Sequence, residues 1–464
     1  MLKSFREHLD HLESRGKLLR VGKEVDPRFE IAAGIRKISD TDGPALLFEN
    51  VKGHPGWKVA GGLYATQELV ALTLGAKDDD WSLLNYYLEH EEKRIKPKMV
   101  SSAPCKEIII KGDDIDLYKI PIPTYCERDF GPYLTSGIDI VKDPKTGKQN
   151  HSIIRRQLMD KNRLSLFTSF LRDTGTMVVD AEKEGIGIGV ASAIGGPPAL
   201  ALASQLKLPL GDDEIEVSGG FQGEPIEMVK CETIDVEVPA SSEIVIEGVI
   251  VPDERVDDGP FGEFPGNYVS MSNWYGLGSK DTRACWVTKT TAITMRKGAI
   301  FQAMLTGMPN TENHLMRKFP AMLRIYQQLL KLVHRQEDIR GINLTPGAGS
   351  QFHAVIGINK RTEAIPRDII YSLLTVTGVT IGWVTVVDDD IDIYDHDDVE
   401  WAVATRCQPD RDIIILPPAA FPSGYAAPYA QMYRWGMDAT KPAGSLGPLY
   451  DKAVPPGVDK VDYA

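Results

Sequence analysis

Apolar residues recur along the chain with two different spacings, and the change of spacing divides it into three. In the first hundred residues the helical period leads: Phe5, Leu9 and Leu12 share a face over residues 5–16, and a second such stretch covers 27–38. Strand-like runs at 45–50 and 57–60 alternate with them. Helices are predicted over 67–74 and 80–93, the latter opened by the carboxylates of Asp78, Asp79 and Asp80. A proline-rich polar stretch at 95–104 marks a border. From there to about residue 302 the period shortens to two, with strands predicted at 107–111, 136–142, 152–158, 227–231, 234–238, 244–251 and 284–295. So many short strands at close spacing predict a barrel or sandwich. A long amphipathic helix follows over 311–334, with Leu315, Met316, Phe319, Met322, Leu323, Tyr326, Leu329 and Leu330 on one stripe. Strands and helices then alternate at 352–358, 367–374, 379–387, 398–405 and 412–416, which predicts an α/β domain with a partly parallel sheet. Residues 417–464 show little periodicity and are expected to wrap a neighbour or close a site. The expected organisation is an α/β domain over 1–105, a strand-rich domain over 106–305, and a linker helix with a C-terminal α/β domain and tail over 306–464.

Composition agrees with a folded chain of several cores: 464 residues, 42% hydrophobic and 25% charged. The formal charge of −13 opposes nucleic acid and anionic lipid as partners. Residues 185–206 carry no charge and are numerous enough to span a bilayer, but Gly195-Gly-Pro-Pro198 in their middle would leave backbone groups unsatisfied in hydrocarbon, so no membrane span is expected. There is no apolar leader at the start, and five scattered cysteines lack C-x-x-C spacing. A reducing cytoplasm is the expected location.

Several motifs invite chemistry that their details oppose. Gly185-Ile-Gly-Ile-Gly189 lacks the later glycine and downstream acid of a dinucleotide loop and reads as a glycine-rich strand with close neighbours. The acid run 388–400 lacks the turn glycine of a calcium loop and reads as a strand end before a capped helix. Two other clusters are more informative. In Asp257-Asp258-Gly-Pro-Phe261-Gly-Glu263-Phe264-Pro-Gly-Asn-Tyr268, stiff turns present two acids beside aromatic rings. An acid among such rings has its neutral form favoured and is prepared to donate a proton, although a solvated acidic turn explains the same letters. Asn150-His-Ser-Ile-Ile-Arg155-Arg156 sets polar and cationic groups in an apolar strand, where they either face water or grip an anion.

Taken together, several segments resemble the UbiD-type reversible decarboxylases, which use prenylated flavin mononucleotide. They are Asn150-x4-Arg155, Ile194-Gly-Gly-Pro-Pro-Ala199, Glu214 ahead of Gly219 and Gly223-Glu224, Val229-Lys-Cys-Glu232, Val238-Pro-Ala-Ser-Ser-Glu-Ile-Val-Ile-Glu-Gly248, Gly259-Pro-Phe-Gly-Glu263, Asp389-Asp-Ile-Asp-Ile-Tyr394 and Trp401-Ala-x-Ala-Thr-Arg406. They fall in the family's order across nearly the whole chain. The resemblance implies an α/β (α+β) protein: an N-terminal α/β domain, a central split β-barrel of flavin-reductase type that holds the cofactor, and a C-terminal dimerising α/β domain joined by a long helix.

It also implies site residues. Arg155, Asp258 and Glu263 fall on the catalytic positions, Asp258 being one methylene shorter than the family's acid. Ser152, Ile153, Ile154, Arg155 and Arg156 are expected beside the cofactor, and Arg434 falls where the family places a lysine near the flavin phosphate. Asn150 and Glu214 match two ligands of a manganese-like ion, with K⁺ nearby; the family's histidine ligand falls on Asp173, whose hard oxygen suits Mn²⁺ or Mg²⁺. Loss of CO₂ from an sp² carbon needs an electron sink, which the cofactor provides; Glu263 then protonates the carbon, Arg155 holds the carboxylate and Asp258 positions Arg155. The implied partners are a small aromatic carboxylic acid, CO₂, a flavin prenyltransferase as cofactor supplier, and further copies of the chain in a homodimer or higher oligomer. Glu263-Phe-Pro-Gly-Asn267 favours an aromatic or heteroaromatic acid over a cinnamate type. The alternative is a flavin-binding split-barrel oxidoreductase, which would share the barrel without needing Arg155 and Glu263 together.

Overall fold

The computed structural model of the protein describes residues 2–168, 173–208, 212–263, 266–269, 285–333, 335–376, 380–420, 431–444 and 448–460. Phe264 of the acid turn, His334, Val379 and parts of the tail lie outside the described residues. The described residues fall into two units, one made of 2–323 and the other of 324–420 and 431–460.

In the first unit a four-stranded sheet runs Leu18–Val21, Ala45–Phe48, Lys58–Gly61 and, from far along the chain, Ile300–Ala303. Its helices form where the apolar period predicts them. Helix Phe5–Ser14 buries Phe5, Leu9 and Leu12 and starts on Ser4, whose hydroxyl accepts from the N–H of Glu7. Helices Gln67–Leu74 and Asp80–His90 start on Thr66 and Asp79, which cap the N–H groups of Leu69 and Ser82.

The centre of this unit is a sheet that, among the described residues, has nine strands. Eight follow the order Tyr133–Leu134, Arg156–Asp160, Arg163–Leu166, Cys285–Met295, Ile244–Val256, Ile188–Ile194, Ile138–Lys142, Gln149–Ile153, and Ile108–Lys111 pairs beside Cys285–Met295. The single strand predicted over 152–158 is therefore two strands with a corner at Ile154 and Arg155. The corner requires curvature. Gln149–Ile153 and Arg156–Asp160 lie six strand spacings apart in the order, about 29 Å if the sheet were flat, yet a link this short reaches about 11 Å at most. The sheet therefore curls into a half-barrel, and the mixed α/β class with a curled central sheet is the one expected. Period-two reading missed the corner because the apolar pattern runs straight through it: Ile154 packs with Val141, Leu166, Val190 and Trp286 in the core. Of the alternate glycines only Gly189 lies in the strand Ile188–Ile194; Gly187 just before it is closely packed, since a Cβ there would meet Val249 Cγ1 at 2.8 Å, whereas Gly185 is a turn residue with open space around it, so the expected glycine-rich strand holds only in part.

The second unit holds a five-stranded sheet in the order Ile339–Leu344, His353–Ile358, Trp383–Asp388, Gln431–Ala439, Ile413–Ala420, with the middle three parallel. The tail departs from expectation, because Gln431–Ala439 is an interior strand; Gly436 to Ala439 are buried in sequence, so they show no alternation to read. The acid run is structural: Asp388 and Asp390 each bond Arg406 at 2.9 Å, and Asp395 caps helix His396–Arg406. Among the described residues no helix is long and apolar enough to cross a membrane.

Helix Glu312–Leu329 begins on a wholly buried carboxylate. Glu312 accepts the N–H of Leu305 at 3.1 Å and of Tyr64 at 3.5 Å, and burial outweighs these donors to push its pKa up to about 7 from an ordinary 4.5. The folded chain therefore holds a proton that the unfolded chain has released. The stability from this group is complete below about pH 4.5 and is lost as pH rises through about 7. Urea unfolding of wild type and Glu312→Gln at pH 5 and pH 8 should show the difference moving in the variant's favour by roughly 2 kcal/mol; an unchanged difference would contradict the assignment.

Candidate active site

The corner at Ile154 and Arg155 places a guanidinium inside the curled sheet. Arg155 is 7% exposed and Asp258 not at all. Arg155 Nε donates to Asp258 Oδ2 at 3.0 Å and Nη2 to Oδ1 at 3.2 Å, a two-point grip that fixes the plane of the guanidinium. The remaining edge, Nη1, donates to Glu263 Oε2. The rings of Phe167 and Phe261 lie 5.5 and 5.2 Å from the guanidinium carbon and exclude water. Burial alone would lower the pKa of Arg155, but the two carboxylates outweigh it and raise it, so the cation is permanent. The thiol of Cys285, buried and beside Asp258, is pushed well above its usual value.

Glu263 closes the short strand Phe261–Glu263, which pairs with Asn267–Val269. Asp129 clamps that hairpin: Oδ1 accepts the N–H of Gly262 at 2.8 Å, while Oδ2 accepts those of Cys126 at 2.7 Å and Tyr125 at 3.2 Å. Gly262 has no room for a side chain, because a Cβ would meet Cys126 Sγ at 2.7 Å. Tyr133 donates its hydroxyl to the Asp258 carbonyl and packs its ring 4.2 Å from that of Phe261. Both acids of the turn are thus held by side chains from 125–133.

On the terminal strand Gln149–Ile153 a second polar group converges. Asn150 donates to Thr174 Oγ1 at 2.7 Å and to Ser152 Oγ at 3.3 Å. Glu214 opens helix Glu214–Gln222, whose cap is Asp213, and its Oε2 accepts the N–H of His151 at 3.2 Å. This helix lies close against residues 93–95: a Cβ on Gly219 would stand 2.6 Å from the Ile95 carbonyl and one on Gly220 2.2 Å from that of Lys93. Burial and then the charge of Glu214 raise the pKa of Asp173. Asp213 is raised too, chiefly by burial. Such a gathering of oxygens, with Asn150 beside it, suits a hard divalent cation.

The other sequence-predicted residues are placed as follows. Ile153 and Ser152 are half-buried and Ile154 is in the core. The Arg156 guanidinium is held inside the sheet by Asp139 at 3.1 Å, Ser192 at 2.6 Å and the Ser165 carbonyl at 3.1 Å, and the residue is wholly buried. Arg434 belongs to the second unit, on strand Gln431–Ala439, where Nη1 donates to the Leu374 carbonyl and burial lowers its pKa.

Comparison with known proteins decides the family. Three domain models described as parts of 3-octaprenyl-4-hydroxybenzoate carboxy-lyase match in succession: the N-terminal domain over residues 9–85, the Rift-related domain over 98–309 and the C-terminal domain over 314–439. The chain belongs to the UbiD family. This UbiD-type protein is a decarboxylase, a carboxy-lyase. It is similar to the UbiD-class enzyme HmfF from Pelotomaculum thermopropionicum in complex with FMN, 37% identical over 99% of each chain with a TM-score of 0.86. An evolved dimeric form of HmfF in complex with prFMN matches at 36% identity over 99% of each chain with a TM-score of 0.84. Vanillic acid decarboxylase from Sedimentibacter hydroxybenzoicus, in open form, matches at 27% identity over 99% of this chain and 98% of its own, also at 0.84.

Sequence reasoning missed Asp129, Tyr133 and Phe167, whose distance along the chain from the acids hides their role. It also passed over His151 and Asp213, for which the adjoining Asn150 and Glu214 were a usable signal. In this decarboxylase Asp129→Ala should free the hairpin bearing Glu263 and lower kcat roughly 10- to 100-fold with little change in KM. Steady-state CO₂ release measures both, and an unchanged kcat would show that the clamp does not position the acid.

Proposed function

We propose that this carboxy-lyase removes CO₂, reversibly, from an aromatic or heteroaromatic, α,β-unsaturated carboxylic acid with prenylated FMN bound, and that Glu263 is the proton donor. The observation that carries this reading is the buried chain Asp258–Arg155–Glu263. Arg155, oriented by Asp258, binds the substrate carboxylate or the charge that develops as it leaves. When bound, the prenylated flavin supplies the electron sink for the pair released by C–COO⁻ cleavage. Glu263 gives its proton to the carbon that lost CO₂, regains one from solvent, and in the carboxylation direction removes that proton instead. Phe167 and Phe261 keep water from the guanidinium, so its charge is felt strongly.

Asn150, Asp173 and Glu214 would hold Mn²⁺ or Mg²⁺ against the flavin phosphate, with K⁺ nearby, and Ser152, Ile153, Ile154 and the main chain of Arg156 would border the cofactor. The donor chemistry suits such an ion: Asp173 lies near enough to Glu214 for its pKa to be raised, after burial, by that charge, a repulsion that a cation relieves, and Asn150 bonds Thr174 next to Asp173. A flavin prenyltransferase would supply the cofactor, and the chain would act as a homo-oligomer. HmfF in complex with prFMN supports the cofactor, and a vanillic acid decarboxylase among the similar structures supports an aromatic acid.

The test is protein co-expressed with a flavin prenyltransferase and offered a panel of aromatic and heteroaromatic acids. A modified-flavin spectrum with CO₂ release is expected, and Glu263→Gln should lose about 10²- to 10⁴-fold in rate. Wild-type rates in Glu263→Gln would overturn the donor, while plain FMN with NAD(P)H consumption would overturn the function in favour of an oxidoreductase.

A further inference from the structure

We infer that Arg156 is a positioning residue for the decarboxylation: with Asp139, Ser192 and the Ser165 carbonyl it forms a strut across the inside of the half-barrel, holding the corner from which Arg155 projects. All four residues are fully buried. Nε of Arg156 donates to the Ser165 carbonyl at 3.1 Å, and Nη1 donates to Asp139 Oδ1 at 3.1 Å and to Ser192 Oγ at 2.6 Å. The Ser192 hydroxyl in turn donates to Asp139 Oδ1. These groups come from distant parts of the strand order. Arg156 and Ser165 belong to strands Arg156–Asp160 and Arg163–Leu166, whereas Ser192 and Asp139 sit opposite each other on Ile188–Ile194 and Ile138–Lys142. Strands Cys285–Met295 and Ile244–Val256 lie between the two pairs. On a flat sheet the strands of Arg156 and Asp139 would be about 24 Å apart, far beyond one side chain. The guanidinium therefore ties two walls of the curl at a fixed separation.

Stability does not explain such a strut. Burial pushes the pKa of Asp139 up and that of Arg156 down, so both charged forms are held against the preference of their surroundings. Apolar pairs commonly replace buried ions of this kind without loss of stability. What the planar fork adds is a fixed direction. Arg155 is the neighbour that gains, because consecutive Cα atoms are about 3.8 Å apart and the root of one side chain cannot move without the other. Asp258 fixes the far end of Arg155, and the strut fixes its near end. A displacement of about 1 Å at a reacting group is enough to cost roughly hundredfold in rate. The inference rests on the proposed function only in taking Arg155 as the group that meets the substrate.

The test is the paired variant Arg156→Met with Asp139→Leu, which removes both ions together and leaves neither buried alone. In the flavin-loaded protein its kcat should fall roughly 10- to 100-fold with KM within about twofold and the melting temperature held. Introduced into Arg155→Lys, the same pair should cost less than about threefold more, because it acts through the group already lost. In full-length protein without flavin, amide hydrogen exchange should quicken over 153–157 and stay unchanged over 339–358. Wild-type kcat in the paired variant, losses that multiply with Arg155→Lys, or unchanged exchange over 153–157 would each overturn the inference. Should the pair not fold, Ser192→Ala removes one tie and leaves the ion pair, and its exchange over 153–157 decides in the same way. Full CO₂ release by Arg155→Lys would remove the proposed function; a loss in Arg155→Lys without one in the paired variant would remove this inference alone.

Discussion

A guanidinium enclosed by aromatic rings cannot stay charged without a partner, and the two-point bond from Arg155 to Asp258 supplies one. Its cost is high, because two ions leave water, and removing either partner from such a pair is worth about 3–5 kcal/mol. In return the arginine has one orientation. Its plane is set by Asp258, so the Nη1 edge is directed at Glu263 and the carboxyl that handles a proton needs no rearrangement to meet the cation. Asp258, shorter than the acid usual in the family, still reaches with both oxygens, so the lost methylene is absorbed by the turn that carries it.

The curled sheet exists around this arrangement. A flat sheet would leave Gln149–Ile153 and Arg156–Asp160 too far apart for their link, and only a half-barrel lets the corner at Arg155 face inward while Ile154 enters the core. The same corner leaves Gln149–Ile153 as the terminal strand of the order, with His151 against the start of the helix that begins at Glu214 and Asn150 bonded to Thr174. One bend thus feeds two polar groups, the arginine with its acids and the cluster suited to a cation. The glycines of that helix, which approach the Lys93 and Ile95 carbonyls, keep the second group at a fixed distance.

Much of this was legible in the letters. Helix Gln67–Leu74 and the cap at Asp79 follow from apolar period and capping chemistry, and the acid run at 388–400 was read as a capped helix start. The convergence of Arg155, Asp258 and Glu263 came from family resemblance, since contacts across more than a hundred positions leave no local trace. Three features were not legible. The corner is hidden because Ile153 and Ile154 continue the apolar pattern; strand Gln431–Ala439 is hidden because an interior strand does not alternate; and Asp129 acts through backbone N–H groups, which have no sequence.

The central claim is that Asp258 and Arg155 act as one device. Rates of CO₂ release from Asp258→Asn, Arg155→Lys and the double variant test it most directly, because groups acting as a unit are strongly non-additive. The account predicts that the double variant is no slower than the slower single one; losses that multiply would show two independent residues and contradict it.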